Sequence, residues 1–283
     1  MKTIATLALS PTAAHLAQAS TILQNGGLVA FPTETVYGLG ADASNDHAVA
    51  KIYQAKGRPQ FNPLIVHVAN VQTARRFVQW NALADQLAQA FWPGPLTLVL
   101  PRKKDAVLSD LLSAGLPTIA IRVPKHPVAK ALLTQFGGAV AAPSANPSGQ
   151  ISPTSPAHVR SGLDGRIDAI VDGAVCTVGL ESTIVQLDDG AVLLRPGGVA
   201  VEDIEKEIGR PVSIRPNVKK ITAPGQLNSH YAPQAKVRLD AKHWRPDEAR
   251  LGFGAVDCDL NLSLSADLVE AAANLFAHLH RLD

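Results

Sequence analysis

Cysteine is scarce in this chain: two residues in 283, Cys176 and Cys258, lie in unrelated contexts and form no CxxC pair or Cys/His cluster. That excludes a disulfide framework and a thiolate-built zinc site. Aromatic residues make up 5 % of the chain, too few for the interleaved basic and aromatic stripe on which single-stranded nucleic acid stacks. No run reaches the roughly 18 consecutive apolar residues of a membrane-spanning helix, and Met1-Lys2 is not followed by the apolar core of a signal peptide. A cytoplasmic protein with no membrane partner is expected. Acidic residues are missing from one stretch, His47 to Ala84, where Lys51, Lys56, Arg58, Arg75 and Arg76 all fall. Such a segment can face an anion such as phosphate. For Arg75 and Arg76, on an expected helix with Phe77 and Trp80, a solvated basic face is the simpler reading. What is present is a chain 46 % apolar with 26 basic and 24 acidic side chains, able to bury a full core as one large domain or as one domain and a smaller partner.

Local signals alternate helices and strands. Ser10-Pro11 reads as an N-cap followed by an N1 proline, with Leu16 and Leu23 inward and Asn25-Gly26-Gly27 as the stop. A strand over Leu28 to Phe31 leads into a turn over Pro32 to Gly40, and a helix begins at Asp46 and ends at Gly57, so Lys56 and Arg58 bracket its C-terminus. Leu64, Val66 and Val68 alternate with Ile65 and His67, which puts His67 on the face opposite the leucine. Strands follow at Leu96 to Leu100, Thr118 to Val123 and Ala139 to Ala142, with a helix around Val128 to Phe136 between the last two; Asp189-Gly190 joins the two arms of a hairpin. The sum is an α/β fold with a mixed sheet flanked by helices. Periodicity fades from Gly209 to Pro233, where prolines recur, and Lys236 to Asp283 offers two short strands and one helix from about Ser265, with Leu268, Leu275, Leu279 and Leu282 inward. The expected division is a main domain over 1–208, a linker over 209–235 and a small α/β unit over 236–283.

The common chemical templates fail. Gly38-Leu39-Gly40-Ala41-Asp42-Ala43 has the glycine spacing of a dinucleotide fingerprint, but the helix starts too late and no acidic residue follows at the ribose-binding distance. There is no Walker A loop, no G-x-S-x-G elbow and no HExxH, and His278 and His280 read as polar-face helix residues rather than ligands. What remains is a set of polar residues at strand ends and in loops: Thr33, Thr35, Lys56, Arg58, Asn62 and His67 in the first half, then Arg122, Ser144, Ser182 and Arg195. Singly, each has an ordinary reading; Arg122 and Arg195, for instance, can pair with buried carboxylates. Together they are four cations, an imidazole and several hydroxyls with almost no carboxylate, which suits a polyanion and a small carboxylate.

Five segments then carry a resemblance: Phe31-Pro32-Thr33-Glu34-Thr35-Val36-Tyr37-Gly38-Leu39; Lys56-Gly57-Arg58-Pro59 with Asn62-Pro63-Leu64; Trp92-Pro93-Gly94-Pro95-Leu96-Thr97; Ala142-Pro143-Ser144-Ala145-Asn146; and Glu181-Ser182-Thr183-Ile184. In order and spacing, across most of residues 12 to 208, they resemble the YrdC-like family of L-threonylcarbamoyladenylate synthases. Ser229-His230-Tyr231-Ala232-Pro233 resembles the longer members, which add a linker and a small C-terminal domain. In those members a further strand and helix follow the point where this chain ends, so the last unit is expected to be either short by nature or cut.

The resemblance implies a YrdC-like twisted mixed sheet and a specific chemistry. L-threonine, bicarbonate or CO2, and ATP give threonylcarbamoyl-AMP and pyrophosphate, and a downstream threonylcarbamoyl transferase passes the group to an adenosine of tRNA. Lys56 and Arg58 would be the catalytic pair on the triphosphate, with Asn62, Thr118, Ser144, Ser152 and Arg195 around the nucleotide. Tyr231, in a linker folded back over the site, would touch the nucleotide as well. Thr35, His67, Arg122 and Ser182 would hold threonine. Mg2+ would arrive with ATP on the triphosphate, since this residue set has no carboxylate to build a cage. The competing class is an RNA-binding module without ATP turnover, against which the modest pI of about 8.6 and the few aromatics count. Carbamoyl-phosphate-using maturation enzymes carry a similar domain, but with CxxC pairs that this chain lacks.

Overall fold

The computed structural model describes residues 4–188, 190–214, 223–225 and 231–283. Among them, eleven strands form one sheet: β1 (Leu7–Leu9), β2 (Val29–Phe31), β3 (Gly38–Asp42), β4 (Ile65–His67), β5 (Leu96–Pro101), β6 (Thr118–Arg122), β7 (Val140–Ala141), β8 (Ala169–Val171), β9 (Thr183–Leu187), β10 (Ala191–Arg195) and β11 (Ser213–Ile214). Their spatial order is β1-β8-β2-β3-β7-β4-β6-β5-β9-β10-β11. Parallel pairs (β4 with β6, β5 with β9) alternate with antiparallel ones (β2 with β3, β5 with β6, β9 with β10), so the sheet is mixed as expected. The hairpin of β9 and β10 forms; Asp189 at its turn lies outside the described residues.

Helices cover one face along most of its width and the other only in part. On the first face α2 (Asp46–Lys56), α4 (Ala82–Phe91), α6 (Pro156–Leu163) and α7 (Val201–Ile208), with the short α3 (Val71–Ala74), bury Ile52, Leu87, Leu163 and Ile204 against Leu39, Val66, Leu98 and Ile121. On the second, α1 (Ala13–Gln24) and α5 (Pro127–Phe136) bury Leu16, Leu23 and Leu132 against Val29, Phe31 and Val140. The rest of that face is a separate apolar patch of Ile65, Val99, Ala120, Ile184 and Leu194, packed with Ala223. Burying whole leucine-sized side chains contributes about 1.5–3 kcal/mol each, so these layers fix which strand face is left for chemistry.

The remaining chain forms a two-stranded parallel ribbon, β12 (Leu251–Gly252) with β13 (Leu260–Asn261), and helix α8 (Leu268–Leu282). α8 docks on the main body: Phe276, Leu275 and Leu279 pack with Val36, Ile151, Leu180 and Tyr231. The His280 ring stacks on His158 at 3.9 Å, and its Nε2 lies 3.1 Å from the Ser152 carbonyl oxygen.

Four local expectations need correction. The first helix is capped by Thr12, whose Oγ1 accepts from His15 N, and Ser10-Pro11 lies before it, because the chain still bends there. Gly38 to Asp42 is a strand rather than the end of a turn, since its backbone is claimed by β2 and β7 on either side. Arg75 and Arg76 fall after the four-residue α3, where Val78 instead bridges to Arg102. Leu268, expected inward, is 75 % exposed; the docked stripe of α8 begins at the next turn, with Ala271.

Candidate active site

The site lies where the two apolar clusters of the second face meet. Ala142 of one and Ile65 of the other both line a cleft of about 430 Å³, open solvent at its mouth included. Two parallel neighbours supply its floor: β4 and β6 are in register with His67 opposite Arg122, so both side chains leave the sheet on the same face. The loop between β2 and β3 supplies Thr33 and Thr35, the segment after β7 supplies Ser144, and the β9–β10 hairpin supplies Ser182 and Arg195.

In the cleft Arg122 is held on three sides. Its Nε donates to the Gly94 carbonyl (3.1 Å), its Nη1 to Thr35 Oγ1 (2.9 Å) and its Nη2 to Glu34 Oε1 (2.6 Å). Glu34 and Arg122 are both buried, and Glu34 Oε2 also accepts from Lys125 N at 2.9 Å. The hydroxyls are ordered in turn. Thr33 Oγ1 donates to the Val36 carbonyl (2.6 Å), so in the 2.8 Å contact between the two threonines Thr35 must be the donor. With its proton so committed and Arg122 donating to it, Thr35 Oγ1 can offer a ligand only a lone pair. His67 is buried beside Arg122; desolvation, and then the guanidinium charge, push its imidazole down to about 3, so it is a neutral ring near pH 7. Its Nδ1 is buried without a hydrogen-bond partner. Ser182 Oγ lies 2.7 Å from Thr97 Oγ1 and accepts from Arg195 Nη2 at 3.0 Å.

The cleft holds further cations. Helix α2 ends at Gly57, whose left-handed φ of +60° turns the chain so that Lys56 and Arg58 flank the helix C-terminus, as the sequence predicts. Arg58 lines the cleft, fixed by donation to the carbonyls of Asn62 (3.2 Å) and Pro63 (2.8 Å); burial lowers its guanidinium to about 10. Lys56 does not line the cleft: its Nζ donates to the Ser144 carbonyl (2.5 Å) and to that of Asn146, so it ties down the Ser144 loop, and burial with the nearby Arg58 charge lowers its ammonium. Arg195 donates to the Ser182 carbonyl and, through Nη1, to the Tyr231 hydroxyl at 2.8 Å. Pro224 and Tyr231 line the cleft from above. Gly225 is seated against Arg195 with φ +91°, where a β-carbon would stand 2.7 Å from Arg195 Cδ, so only glycine passes there. Burial pushes the Tyr231 phenol up to about 12.

Besides Lys56, three residues named from the sequence stand off the cleft. Asn62 is fully buried, with neither side-chain nitrogen nor oxygen partnered, and Ser152 is buried with Oγ donating to Glu181 Oε1 at 2.7 Å. Thr118 starts β6 opposite Pro101, on the face of Arg122 but roughly 13 Å along the strand from it at about 3.3 Å per residue. Two carboxylates were missed. Glu181 lines the cleft with Oε2 3.5 Å from Arg195 Nη2, and Glu34 anchors Arg122. Both sit inside segments read for their hydroxyl neighbours, and nothing local marks a glutamate that points at an arginine on another strand. Both cysteines are free, Cys176 buried with its thiol pushed up to about 12 by desolvation. Among the described residues no group of three metal-ligating side chains exists.

A mixed sheet with a cation-lined cleft at its strand ends, to which Pro224 and Tyr231 also contribute, defines an α/β protein whose site has the charge that suits an anion. Comparison makes the assignment specific. The Sua5/YciO/YrdC family profile, described as "Telomere recombination", matches residues 21–197, and a profile described as "Threonylcarbamoyl-AMP synthase, C-terminal domain" matches residues 199–283. The chain therefore belongs to the Sua5/YciO/YrdC family, in the form that carries the C-terminal domain. It is 49 % identical over 237 residues to the threonylcarbamoyl-AMP synthase of Bacillus subtilis, covering 82 % of this chain and 68 % of that one. The Pyrococcus abyssi synthase is 41 % identical over 290 residues, covering 94 % and 84 %. The crystal structure of P. abyssi Sua5 complexed with L-threonine superposes with a TM-score of 0.86 at 36 % identity, covering 98 % of this chain and 88 % of that one. Escherichia coli YciO, at 23 % identity and a TM-score of 0.64, shares the fold.

Proposed function

We propose that this chain is a threonylcarbamoyl-AMP synthase, making threonylcarbamoyl-AMP and pyrophosphate from L-threonine, bicarbonate or CO2, and ATP. The observation that carries the reading is the pairing of two kinds of group in one cleft: Arg122 beside the committed acceptor Thr35, and the further cations Arg58 and Arg195. An amino acid's carboxylate and ammonium suit the first, and a polyphosphate suits the second. The relatives' names support it, and the relation to those enzymes favours it over an RNA-binding module.

In this reading Thr35, His67, Arg122 and Ser182 hold threonine. Lys56 and Arg58 serve the triphosphate, Lys56 through the loop it fastens, and Asn62, Thr118, Ser144, Ser152, Arg195 and Tyr231 surround the nucleotide. Threonine's ammonium and bicarbonate give a carbamate with loss of water and one proton. A carbamate oxygen then attacks the α-phosphorus and pyrophosphate leaves. No side-chain nucleophile is needed; the protein holds two anions in contact and offsets charge on the phosphates. Mg2+ fits the donor set only as a triphosphate-borne ion, because Glu181 is the sole carboxylate lining the cleft among the described residues, and Mg2+ is commonly held by one or two carboxylates with substrate phosphates. Residues 1–208 form the catalytic domain, 209–235 the linker and 236–283 the small C-terminal unit; Ser229-His230 of the linker lies outside the described residues. The product's consumer is a threonylcarbamoyl transferase acting on tRNA, in the cytoplasm.

The test is pyrophosphate release from ATP with L-threonine and bicarbonate, and with each omitted in turn. Release that requires all three is the expected result. Release indifferent to threonine would overturn the synthase reading, and salt-sensitive tRNA binding by folded protein with no ATP turnover would favour the RNA-binding alternative.

A further inference from the structure

The carboxylate of Glu34 has no role in the chemistry just described, yet it is buried and charge-paired with Arg122, behind the residues that line the cleft. We propose that Glu34 is a positioning residue for substrate recognition: it sets the plane of the Arg122 guanidinium so that its two remaining N–H groups meet the carboxylate of the amino-acid substrate. The inference rests on the assignment of Arg122 to that carboxylate.

The geometry supports this donor by donor. A guanidinium has five N–H groups, and three of those of Arg122 are committed, to Gly94, Thr35 and Glu34. One N–H on each terminal nitrogen is left without a partner among the described residues. Two N–H groups bind a carboxylate well only when the guanidinium plane is fixed, because the paired bonds are parallel and planar. Gly94 and Thr35 offer one neutral acceptor each; Glu34 is the charged contact, at 2.6 Å the shortest of the three. Glu34 is itself immobilised. Its second oxygen accepts from Lys125 N just beyond β6, and its carbonyl accepts from Val178 N at 2.7 Å. The carboxylate thus ties the β2–β3 loop to the end of the strand that carries Arg122.

Two acceptors are required here, and that separates glutamate from its amide. Glutamine would keep one oxygen and turn an NH2 toward either Arg122 Nη2–H or Lys125 N–H, placing donor against donor. A competing account gives Glu34 no part in recognition and has it only neutralise a buried arginine. The two accounts differ in what they say about substrates that lack a carboxylate.

The experiment measures pyrophosphate release by the full chain with bicarbonate and ATP, using L-threonine and L-threoninamide, for wild type and Glu34→Gln. Threoninamide keeps the amine that forms the carbamate and lacks the carboxylate. In the wild type the KM for threonine should lie well below that for threoninamide. Glu34→Gln should raise the threonine KM about tenfold or more while leaving the threoninamide and ATP KM values within about twofold. A parallel rise for both amines, or an unchanged threonine KM in folded protein, overturns the proposal in favour of simple charge neutralisation. Should Glu34→Gln fail to fold, Glu34→Asp retains charge and both acceptors but withdraws them by one methylene. A smaller, still threonine-specific rise is expected there, and a parallel one overturns the proposal. A wild type that releases pyrophosphate equally from both amines overturns it differently, by removing Arg122 from the carboxylate; a wild type that needs no threonine at all contradicts the synthase reading itself.

Discussion

Arg122 and Arg195 both line the cleft, with different partners. Arg122 is paired with a carboxylate outside the cleft wall, and Arg195 with Glu181 on it. The ordinary reading of each, a buried ion pair, and the functional one, an anion site, both hold, because a guanidinium has enough donors for a protein carboxylate and a ligand together. Lysine in place of Arg122 would retain the charge and lose the planar fork. Arg122→Lys is expected to raise the threonine KM by roughly 10- to 100-fold, the loss of about 1.5–3 kcal/mol of charge-assisted bonding, and to change the ATP KM far less; steady-state pyrophosphate release against each substrate checks it. At this scale the sequence was informative about residue types and silent about partners. Thr35 could be named from its hydroxyl, but its being an acceptor depends on Thr33 donating to the Val36 carbonyl, and Glu181 was hidden beside Ser182.

At the scale of elements, local chemistry predicted most of what positions the site. α2 begins at Asp46 and stops at Gly57 as expected and so delivers Arg58 to the cleft, and the alternation from Leu64 to Val68 puts His67 on the site face. The docking of α8 was not legible, since its amphipathic face names no partner. Gly179 is the contact point: with φ +69°, a β-carbon on it would lie 2.3 Å from the Ala273 carbonyl oxygen of α8. Gly179→Ala combines left-handed strain of about 1–2 kcal/mol with a clash against helix backbone. It is expected to release α8, seen as faster amide hydrogen exchange over Leu268–Leu282 and proteolysis there, while exchange in the central strands β4 and β6 stays slow. Exchange in α8 as slow as in the wild type would mean the segment around Gly179 adjusts.

For the whole molecule, acid sensitivity follows from histidines that the fold keeps neutral. Desolvation lowers His67 to about 3 and His158, stacked on His280, to about 4, from an ordinary 6.5, and lowers His126 and His280 as well. The unfolded chain binds these protons near 6.5 and the folded chain does not, so their contribution is intact above about 6.5 and is lost progressively as the pH falls toward the folded values. The urea midpoint should therefore fall between about pH 6.5 and 5, above the range in which carboxylates titrate. His158→Gln should make that fall shallower; an unchanged slope would show that His158 is not a source.

The sequence by itself determined the helices and strands with strong end signals, the mixed α/β class, the hairpin of β9 and β10, and the residue types available for an amino acid and a polyanion. Caps, turns and alternation act over a few neighbouring residues, so they can be read without a fold. Only the tertiary structure decided that β4 and β6 lie side by side with His67 opposite Arg122, that Glu34 and Arg122 pair across 88 positions of chain, and that His280 of the last helix stacks on His158. Such contacts follow from which apolar faces are buried against which. That choice is made by the sheet order and its covering helices together, and no single segment carries it.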